Sequence, residues 1–226
     1  MTASPTVSID VVSDVVCPWC FIGQKRLDKA IASAEGIEVE VNWRPFQLDP
    51  TIPAGGLDRH DYMLGKFGSE DRIREIHARI EPLGAAEGIA FDFDAIKVSP
   101  NTLDAHRVIR WAGATSREVQ GKLVRRLFDL YFEQGGNVGD PAVLVTAARE
   151  AGMDATVVET LLSTDADADA VRAEIATASR MGVTGVPCFL LEGRYAVMGA
   201  QEAETLADAI RQVATAKARG ELDSAG

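Results

Sequence analysis

Cysteine is scarce in this chain. Its 226 residues include three cysteines, Cys17, Cys20 and Cys188. A small and odd number argues against a scaffold of structural disulfides. Because disulfides are uncommon in reducing compartments, two cysteines separated by two residues, as Cys17 and Cys20 are, more often serve redox or metal chemistry.

Long apolar runs and an excess of positive charge are also missing. No apolar run approaches the roughly 18 residues that span a bilayer, so we expect no membrane-spanning segment. Residues 1–5 have neither a basic segment nor a long apolar core, which predicts no secretory signal and, by default, a cytoplasmic location. The 23 Lys and Arg residues are outnumbered by 34 Asp and Glu residues, and the net charge of −11 argues against a surface for nucleic acid or anionic membranes.

The rest of the composition is that of a globular protein, with 46% hydrophobic and 25% charged residues. A chain of this length can bury a substantial core as one large domain or two small ones. No internal repeat and no low-complexity linker divides it.

A CxxC motif follows the first predicted strand. The strand-like residues 7–12 lead through a short linker to Cys17-Pro18-Trp19-Cys20, and apolar residues at helical spacing follow. Cys17 is thus expected at a helix N-terminus, where unpaired N–H groups and the helix dipole stabilise a thiolate. Pro18 suits the first helical turn, where its missing N–H costs nothing. Cys20, one turn further, can reach the same sulfur and resolve a mixed disulfide. This is the pattern of a dithiol oxidoreductase.

The chain begins and ends with α/β character. Alternating apolar residues over 37–44 predict a second strand and complete a βαβ unit. At the other end, the pattern predicts a helix over 170–181, a hairpin of strands 188–191 and 195–198, and a final amphipathic helix.

The middle of the chain contains no convincing strand. Helical spacing and capping residues predict a run of helices there, at residues 70–87, 103–112, 119–131, 141–151 and, after Asp154 as its cap, 155–162. The predicted organisation is a first α/β part over 1–55, a helical insertion over 56–165 and a second α/β part over 166–226.

Pro187 directly precedes the first strand of the hairpin. A trans proline inside a buried strand would remove a hydrogen-bond donor from the ladder. We therefore expect an edge position, a strand start or a cis Val186–Pro187 bond, and the local sequence leaves these three open.

The CxxC after the first strand and the Gly185-Val186-Pro187-Cys188 segment before a hairpin together resemble the thioredoxin superfamily. The helical block between the two α/β parts is similar to that of the DsbA-type branch. Four further stretches resemble FrnE-type cytoplasmic oxidoreductases, namely residues 17–23, 43–48, 101–107 and 193–201. The resemblance implies an α/β thioredoxin fold (βαβ…ββα) with a large all-helical, DsbA-like insertion.

The resemblance also implies residue roles. Cys17 would be the nucleophile, Cys20 the resolving thiol, Pro187 the cis-proline and Val186 the residue whose backbone meets the substrate. Further substrate-binding candidates are Pro18, Trp19, Asn101 and Thr102. The implied activity is thiol–disulfide exchange on a protein or a small thiol. It needs no bound cofactor, glutathione is a candidate substrate or reductant, and a homodimer is suggested because related proteins are often dimeric.

Two other functions stay open. Kappa-class glutathione transferases and hydroxychromene-carboxylate isomerases belong to the same branch but carry serine where this chain has Cys17. A glutathione-linked isomerase or transferase of a small molecule is therefore one alternative, which the presence of both cysteines disfavours. A non-enzymatic client-binding (holdase) module, with an apolar groove on the helical block, is the other. We expect no metal site, because structural zinc takes four ligands and no nearby histidine or second CxxC completes the set.

A few residues have a structural interpretation beside a functional one. Cys188 is more readily a small buried hydrophobe than a third redox thiol. His106 is more readily a structural hydrogen-bonding residue than a general base. His60 and His77 have no supporting context and are interpreted as surface or packing residues. Because Trp19 replaces the histidine that DsbA has between its cysteines, the direction of the redox chemistry does not follow from the sequence.

Overall fold

The computed structural model describes residues 5–222. Residues 1–4, most of the segment that predicts no secretory signal, lie outside this range, as do residues 223–226. In chain order the elements are β1 (Thr6–Ser13), α1 (Pro18–Ser33), β2 (Glu38–Pro45), β3 (Leu57–Asp58), α2 (Arg59–Phe67), α3 (Glu70–Ala86), β4 (Val98–Ser99), α4 (Leu103–Thr115), α5 (Arg117–Phe132), α6 (Pro141–Ala151), α7 (Ala155–Leu162), α8 (Ala168–Arg180), β5 (Cys188–Leu191), β6 (Tyr195–Met198) and α9 (Ala203–Ala218).

A four-stranded sheet in the order β2-β1-β5-β6 joins the two ends of the chain. Strand β1 pairs in parallel with β2, with Val11 opposite Trp43, and antiparallel with β5, with Val11 opposite Phe189. Strand β6 pairs antiparallel with β5 at the edge. The predicted βαβ…ββα arrangement with a helical insertion is confirmed.

Capping residues determine where helices α6 and α7 begin and end. Helix α6 starts after Asp140, whose carboxylate accepts a hydrogen bond from the Ala142 N–H, and it ends at Gly152, which has φ of 99°. A left-handed residue suits glycine because it has no Cβ to clash. Asp154 then caps α7 by accepting from two N–H groups of its first turn. Both helices have the predicted bounds.

The prediction that residues 57–165 contain no strand is wrong for two short strands. β3 and β4 pair antiparallel, with Leu57 opposite Ser99. Two-residue strands leave no alternation in the sequence to detect.

Helix α2 was not predicted either. Among its nine residues Met63 is the buried one, and its apolar spacing consists of little more than Met63 and Phe67. Its clearer signals are the caps, since the Asp58 carboxylate accepts from the Asp61 N–H and Gly68 ends the helix with φ of 89°.

One hydrophobic core extends through both the α/β parts and the helical insertion. Phe21 of α1 stacks on Phe128 and Phe132 of α5, with ring centroids 5.1 and 6.0 Å apart. Trp43 of β2 meets Phe128 edge-on. The insertion is therefore held to the sheet by aromatic packing, which keeps α1 and the insertion in a defined relation. Within the described part of the chain, no helix is long and apolar enough to cross a bilayer.

Candidate active site

Cys17 is the residue immediately before helix α1, as the sequence predicts. Its N–H donates to the Asp14 carbonyl at 3.0 Å, and its carbonyl accepts from the Cys20 N–H at 3.0 Å. Pro18 occupies the first turn, where the missing N–H leaves no helical bond unmade. The Cys17 sulfur thus lies at the end of the helix where the free N–H groups and the dipole favour negative charge.

Cys20 lies one turn further into α1, and both cysteines are buried, with exposed fractions of 3% for Cys17 and 1% for Cys20. The Cys20 sulfur is within hydrogen-bonding reach of the Cys17 sulfur. Burial raises the pKa of the Cys20 thiol well above its ordinary value, and the neighbouring Cys17 raises it further, while Ser13 opposes the rise. Both cysteines are free thiols in this structure. Cys20 therefore holds its proton next to Cys17, in position to attack it once Cys17 is in a mixed disulfide.

The segment before β5 faces Cys17. The Val186–Pro187 bond is cis, and the Cys17 thiol donates to the Val186 carbonyl at 3.7 Å. Helix α1 approaches Pro187 closely at Gly23, where a Cβ atom would lie 2.9 Å from the Pro187 Cγ. Glycine at this position lets the proline loop lie against α1 and meet Cys17.

A cleft of about 360 Å³ opens at Cys17. One wall contains Cys17, Pro18, Trp19, Gly185 and Val186, and the other comes mainly from the insertion. The apolar part of the lining is made by Val16, Leu48, Ile52, Met63, Phe67, Ile76, Ile80, Phe93 and Pro100. The Trp19 ring is 39% exposed at the rim. Of the three cysteines, Cys17 is the one that lines this cleft.

Polar residues of the insertion line the same cleft, and sequence reasoning missed them. They are Arg59, Tyr62, Lys66, His77, Ser99 and Tyr131. The expectation of a surface or packing role for His77 is incomplete, because its ring stacks on Phe93 with centroids 4.1 Å apart and also lines the cleft. No local pattern marks these residues, since they come from three helices and the short strand β4. The caps of α2 are the one signal that could have pointed to three of them, Arg59, Tyr62 and Lys66.

The structure separates two neighbouring candidates, Thr102 and Asn101. Thr102 is buried and lines the cleft. Asn101 does not line it. Its Nδ2 donates to the Ile52 carbonyl at 2.6 Å, and its Oδ1 accepts from the Gln47 side chain and the Leu103 N–H. Asn101 therefore links residues 47–52 to the start of α4, and it lines a different cavity, so the structure does not bring it to the cleft at Cys17.

His106 and Cys188 lie outside the cleft. The His106 Nε2 is 3.3 Å from the Asp14 Oδ1, and both side chains are buried. Asp14 also accepts from the Leu48 N–H at 2.8 Å through Oδ2. Cys188 packs in a separate small cluster with Val12, Ala178 and Val183, and burial raises the pKa of its thiol. Both positions favour the structural interpretation of these residues.

A second cavity, of about 400 Å³, lies between β2 and helices α4, α5 and α8, and it contains no thiol. Three arginines line it, and each is already paired with a carboxylate: Arg44 with Asp10, Arg110 with Glu174 and Arg117 with Glu40. Although this cavity is slightly larger, its charges are neutralised within the protein. Within residues 5–222, no group of three or more His, Cys, Asp or Glu side chains is arranged to hold a metal ion.

Comparisons with known proteins agree with this geometry. The family model of the DSBA-like thioredoxin domain matches residues 8–211. The crystal structure of a probable DsbA oxidoreductase from Streptomyces coelicolor is 32% identical and superposes with a TM-score of 0.80, covering 91% of this chain and 89% of that one.

Two further proteins are similar over nearly their whole length. The uncharacterized protein YwbO of Bacillus subtilis (strain 168) is 29% identical over 206 residues, which is 91% of this chain and 96% of that protein. The cytosolic disulfide reductase DsbM of Pseudomonas aeruginosa, solved with GSH, is 17% identical with a TM-score of 0.57, and the match covers 94% of this chain and 99% of that one. At that identity the likeness to DsbM concerns the fold.

Proposed function

The chain belongs to the DSBA-like thioredoxin domain family, and from this premise we propose that Cys17 and Cys20 exchange disulfides with a thiol or disulfide substrate. The FrnE-type assignment is part of the proposal. So is a cytoplasmic location, which the scarcity of cysteine supports.

The different surroundings of the two cysteines are the observation that carries the proposal. Cys17 lines the cleft and donates to the Val186 carbonyl, so a substrate in the cleft meets its sulfur first. Cys20 is buried behind it and reaches the same sulfur from within the core. This arrangement supports Cys17 as the attacking thiol and Cys20 as the resolving one.

The exchange proceeds through two displacements. The Cys17 thiolate attacks one sulfur of a substrate disulfide, forms a mixed disulfide and releases the other substrate sulfur as a thiolate. Cys20 then loses its proton and attacks the Cys17 sulfur, which closes the Cys17–Cys20 disulfide and releases the second substrate thiolate. The substrate gains two electrons and the enzyme loses two. In the reverse direction the enzyme disulfide oxidises a substrate dithiol.

Four residues around Cys17 are proposed to contact the substrate. The Val186 backbone lies against the reacting sulfur, and Pro18 and Trp19 form the adjoining wall. The exposed face of the Trp19 indole offers an apolar surface. Thr102 contributes from the opposite side of the cleft.

The test is thiol-dependent reduction of insulin, together with oxidation of a reduced peptide, by purified cysteine variants. Cys17→Ser should abolish both activities, because no nucleophile remains in the cleft. Cys20→Ser should accumulate mixed disulfides, which mass spectrometry detects. Cys188→Ala, which alters a thiol outside the cleft, serves as the matched control and should retain activity.

Full activity in Cys17→Ser would rule out the proposed mechanism. Glutathione is a sensible reductant for these assays, since the DsbM structure was solved with GSH. Glutathione-dependent turnover that survives Cys20→Ser would favour an isomerase or transferase instead. Suppression of client aggregation by the double Cys17→Ser, Cys20→Ser variant would favour a holdase. The homodimer stays a prediction, which light scattering would check.

A further inference from the structure

We propose that Arg59, His77 and Tyr131 form an anion-binding subsite in the cleft, and that this subsite takes a carboxylate of a small disulfide substrate. The inference rests on the proposed function, because it names the substrate class of that same site. It assigns to the helical insertion the task of selecting which disulfides reach Cys17.

Arg59 is a cation without a carboxylate partner. It is the first residue of α2, is partly buried and lines the cleft. Its guanidinium reaches the Ser99 hydroxyl at 3.4 Å and makes no ion pair within residues 5–222. The arginines of the second cavity, by contrast, each have a carboxylate. A guanidinium presents a planar set of donors that matches a carboxylate, so Arg59 is suited to bind one.

Two buried polar atoms beside Arg59 also lack partners. The His77 Nε2 has no hydrogen bond in the structure, and the Tyr131 hydroxyl makes none of good geometry, although Arg59 lies close enough to it to lower its pKa. Both residues line the cleft. The Tyr131 side chain has an exposed fraction of 0%. An unsatisfied buried polar group is costly, at about 1–3 kcal/mol, and such groups are uncommon in folded proteins. A ligand oxygen at this place would satisfy them.

The charge states of these two groups suit an anion. Burial raises the pKa of Tyr131 to about 12, so its hydroxyl stays protonated and can donate. Burial and the nearby Arg59 lower the pKa of His77, so its ring is neutral near pH 7 and can donate through Nε2–H in one tautomer. All three side chains line the same cleft, and Arg59 is the leading charge acting on the other two.

The carboxylates that line the cleft do not occupy Arg59. Asp14 accepts from the Leu48 N–H, and Asp49 accepts from Tyr62 at 3.1 Å and from Thr51. Asp14 therefore has a donor on Oδ2, and Asp49 has donors of its own. Since the chain as a whole has a net charge of −11, an anionic ligand is repelled from most of the surface and must be drawn by a local positive charge.

The size and the remaining lining indicate a small molecule. The volume of about 360 Å³ lies within the roughly 300–1,000 Å³ of typical small-molecule sites. Apolar side chains such as Met63, Ile76 and Phe93 cover the space beside the polar atoms, where a carbon skeleton would lie. Lys66 adds a second positive charge to the lining. The indicated substrate class is a low-molecular-weight disulfide that bears a carboxylate.

The experiment compares two disulfides that differ in charge alone. They are 3,3′-dithiodipropionate and its bis-amide, and each kcat/KM is divided by the rate at which dithiothreitol reduces the same compound. We expect the wild-type protein to prefer the dicarboxylate by about tenfold or more, the effect of one charged hydrogen bond. Arg59→Gln should bring the preference towards one, mainly by raising KM for the dicarboxylate. Tyr131→Phe, which keeps the ring in the core, should also reduce the preference for the dicarboxylate.

The matched control is Arg72→Gln. Arg72 is exposed on α3, pairs with Glu75 and does not line the cleft, so the same change of charge there should leave the preference as it is. Equal turnover of the two disulfides by wild type, or an unchanged preference in Arg59→Gln, would overturn the subsite while leaving the oxidoreductase intact. Reduction of insulin without turnover of either small disulfide would overturn it as well. If the wild-type protein catalysed no thiol–disulfide exchange at all, the proposed function itself would be overturned.

Discussion

Cys188 is buried as deeply as Cys20, yet its surroundings differ. Cys20 touches the Cys17 sulfur, whereas Cys188 packs among aliphatic side chains on the other side of β5. Burial is the one cause that raises the pKa of Cys188. The shift at Cys188 is therefore the effect of burial on a thiol that has no redox partner. Among the cysteines, contact with Cys17, and not burial, therefore distinguishes the proposed redox pair.

This difference predicts a stability effect at alkaline pH. The pKa of Cys188 is raised in the folded state, so the unfolded chain loses its proton first and stability falls as pH rises past the ordinary thiol value. Between about pH 8 and about pH 10, the urea midpoint of the reduced protein should therefore fall less steeply in Cys188→Ala than in wild type. Val12→Ala removes volume from the same cluster but no titratable group, and it should retain the wild-type slope. Identical slopes in all three proteins would contradict the assignment.

At the scale of elements, the contact between α1 and the proline loop determines the geometry around Cys17. Gly23 lies six residues after Cys17, on the part of α1 that meets Pro187 and Phe189. The helix that begins at the CxxC motif therefore also contains Gly23, the residue whose small size lets the loop with Pro187 pack against α1. Gly84 of α3 and Gly113 of α4 also lie against close neighbours, Phe91 and Gln120, whereas Gly65 of α2 has open space where a Cβ would be.

Gly23→Ala should reduce both stability and activity. Alanine favours a helix, but its Cβ would lie 2.9 Å from the Pro187 Cγ and 3.2 Å from the Phe189 ring. Overpacking of this kind typically costs about 1–3 kcal/mol, which exceeds the gain in helix propensity of about 1 kcal/mol. Chemical denaturation and the insulin assay measure the two effects. Gly65→Ala is the control and should be neutral or stabilising by about 0.4–1 kcal/mol. A stable, fully active Gly23→Ala would show that the loop does not need this close approach.

At the scale of the whole molecule, the insertion and the sheet share one core. Phe128 of α5 contacts Phe21 of α1 and Trp43 of β2, so a residue of the insertion is held between two elements of the α/β part. The cleft lies between the same two parts. Its shape therefore depends on the core that joins them.

Unfolding should consequently be a single cooperative transition. Phe128→Ala should destabilise the protein by about 3–5 kcal/mol, because the ring is fully buried, and should weaken both parts together. Far-UV circular dichroism and tryptophan fluorescence should give coincident transitions. Val157→Ala, at an exposed position of α7, should change stability by less than about 0.5 kcal/mol. Two separated transitions would mean that the insertion is an independent unit.

The sequence determined those parts of the protein that local patterns encode. The Cys17-Pro18-Trp19-Cys20 helix start, the strands of the sheet and the caps of α6 and α7 all follow from periodicity, from proline and glycine, and from capping side chains. These signals act over a few residues, so they can be found without the fold. Short elements such as β3, β4 and α2 were missed, because two residues have no period and the nine residues of α2 give only a short apolar pattern.

Only the tertiary structure decided which residues surround Cys17. Arg59, His77 and Tyr131 are far apart in the chain and are brought to one cleft by the packing of α2, α3 and α5. Thr102 lines that cleft, whereas its neighbour Asn101 bonds to the Ile52 carbonyl and the Leu103 N–H. Which of the two adjacent residues faces the cleft depends on the path of the loop before α4. Whether a charged side chain has an ion-pair partner is likewise decided by the packed molecule. No sequence pattern distinguishes Arg59 from Arg44, yet Arg44 pairs with Asp10 and Arg59 contacts the Ser99 hydroxyl instead.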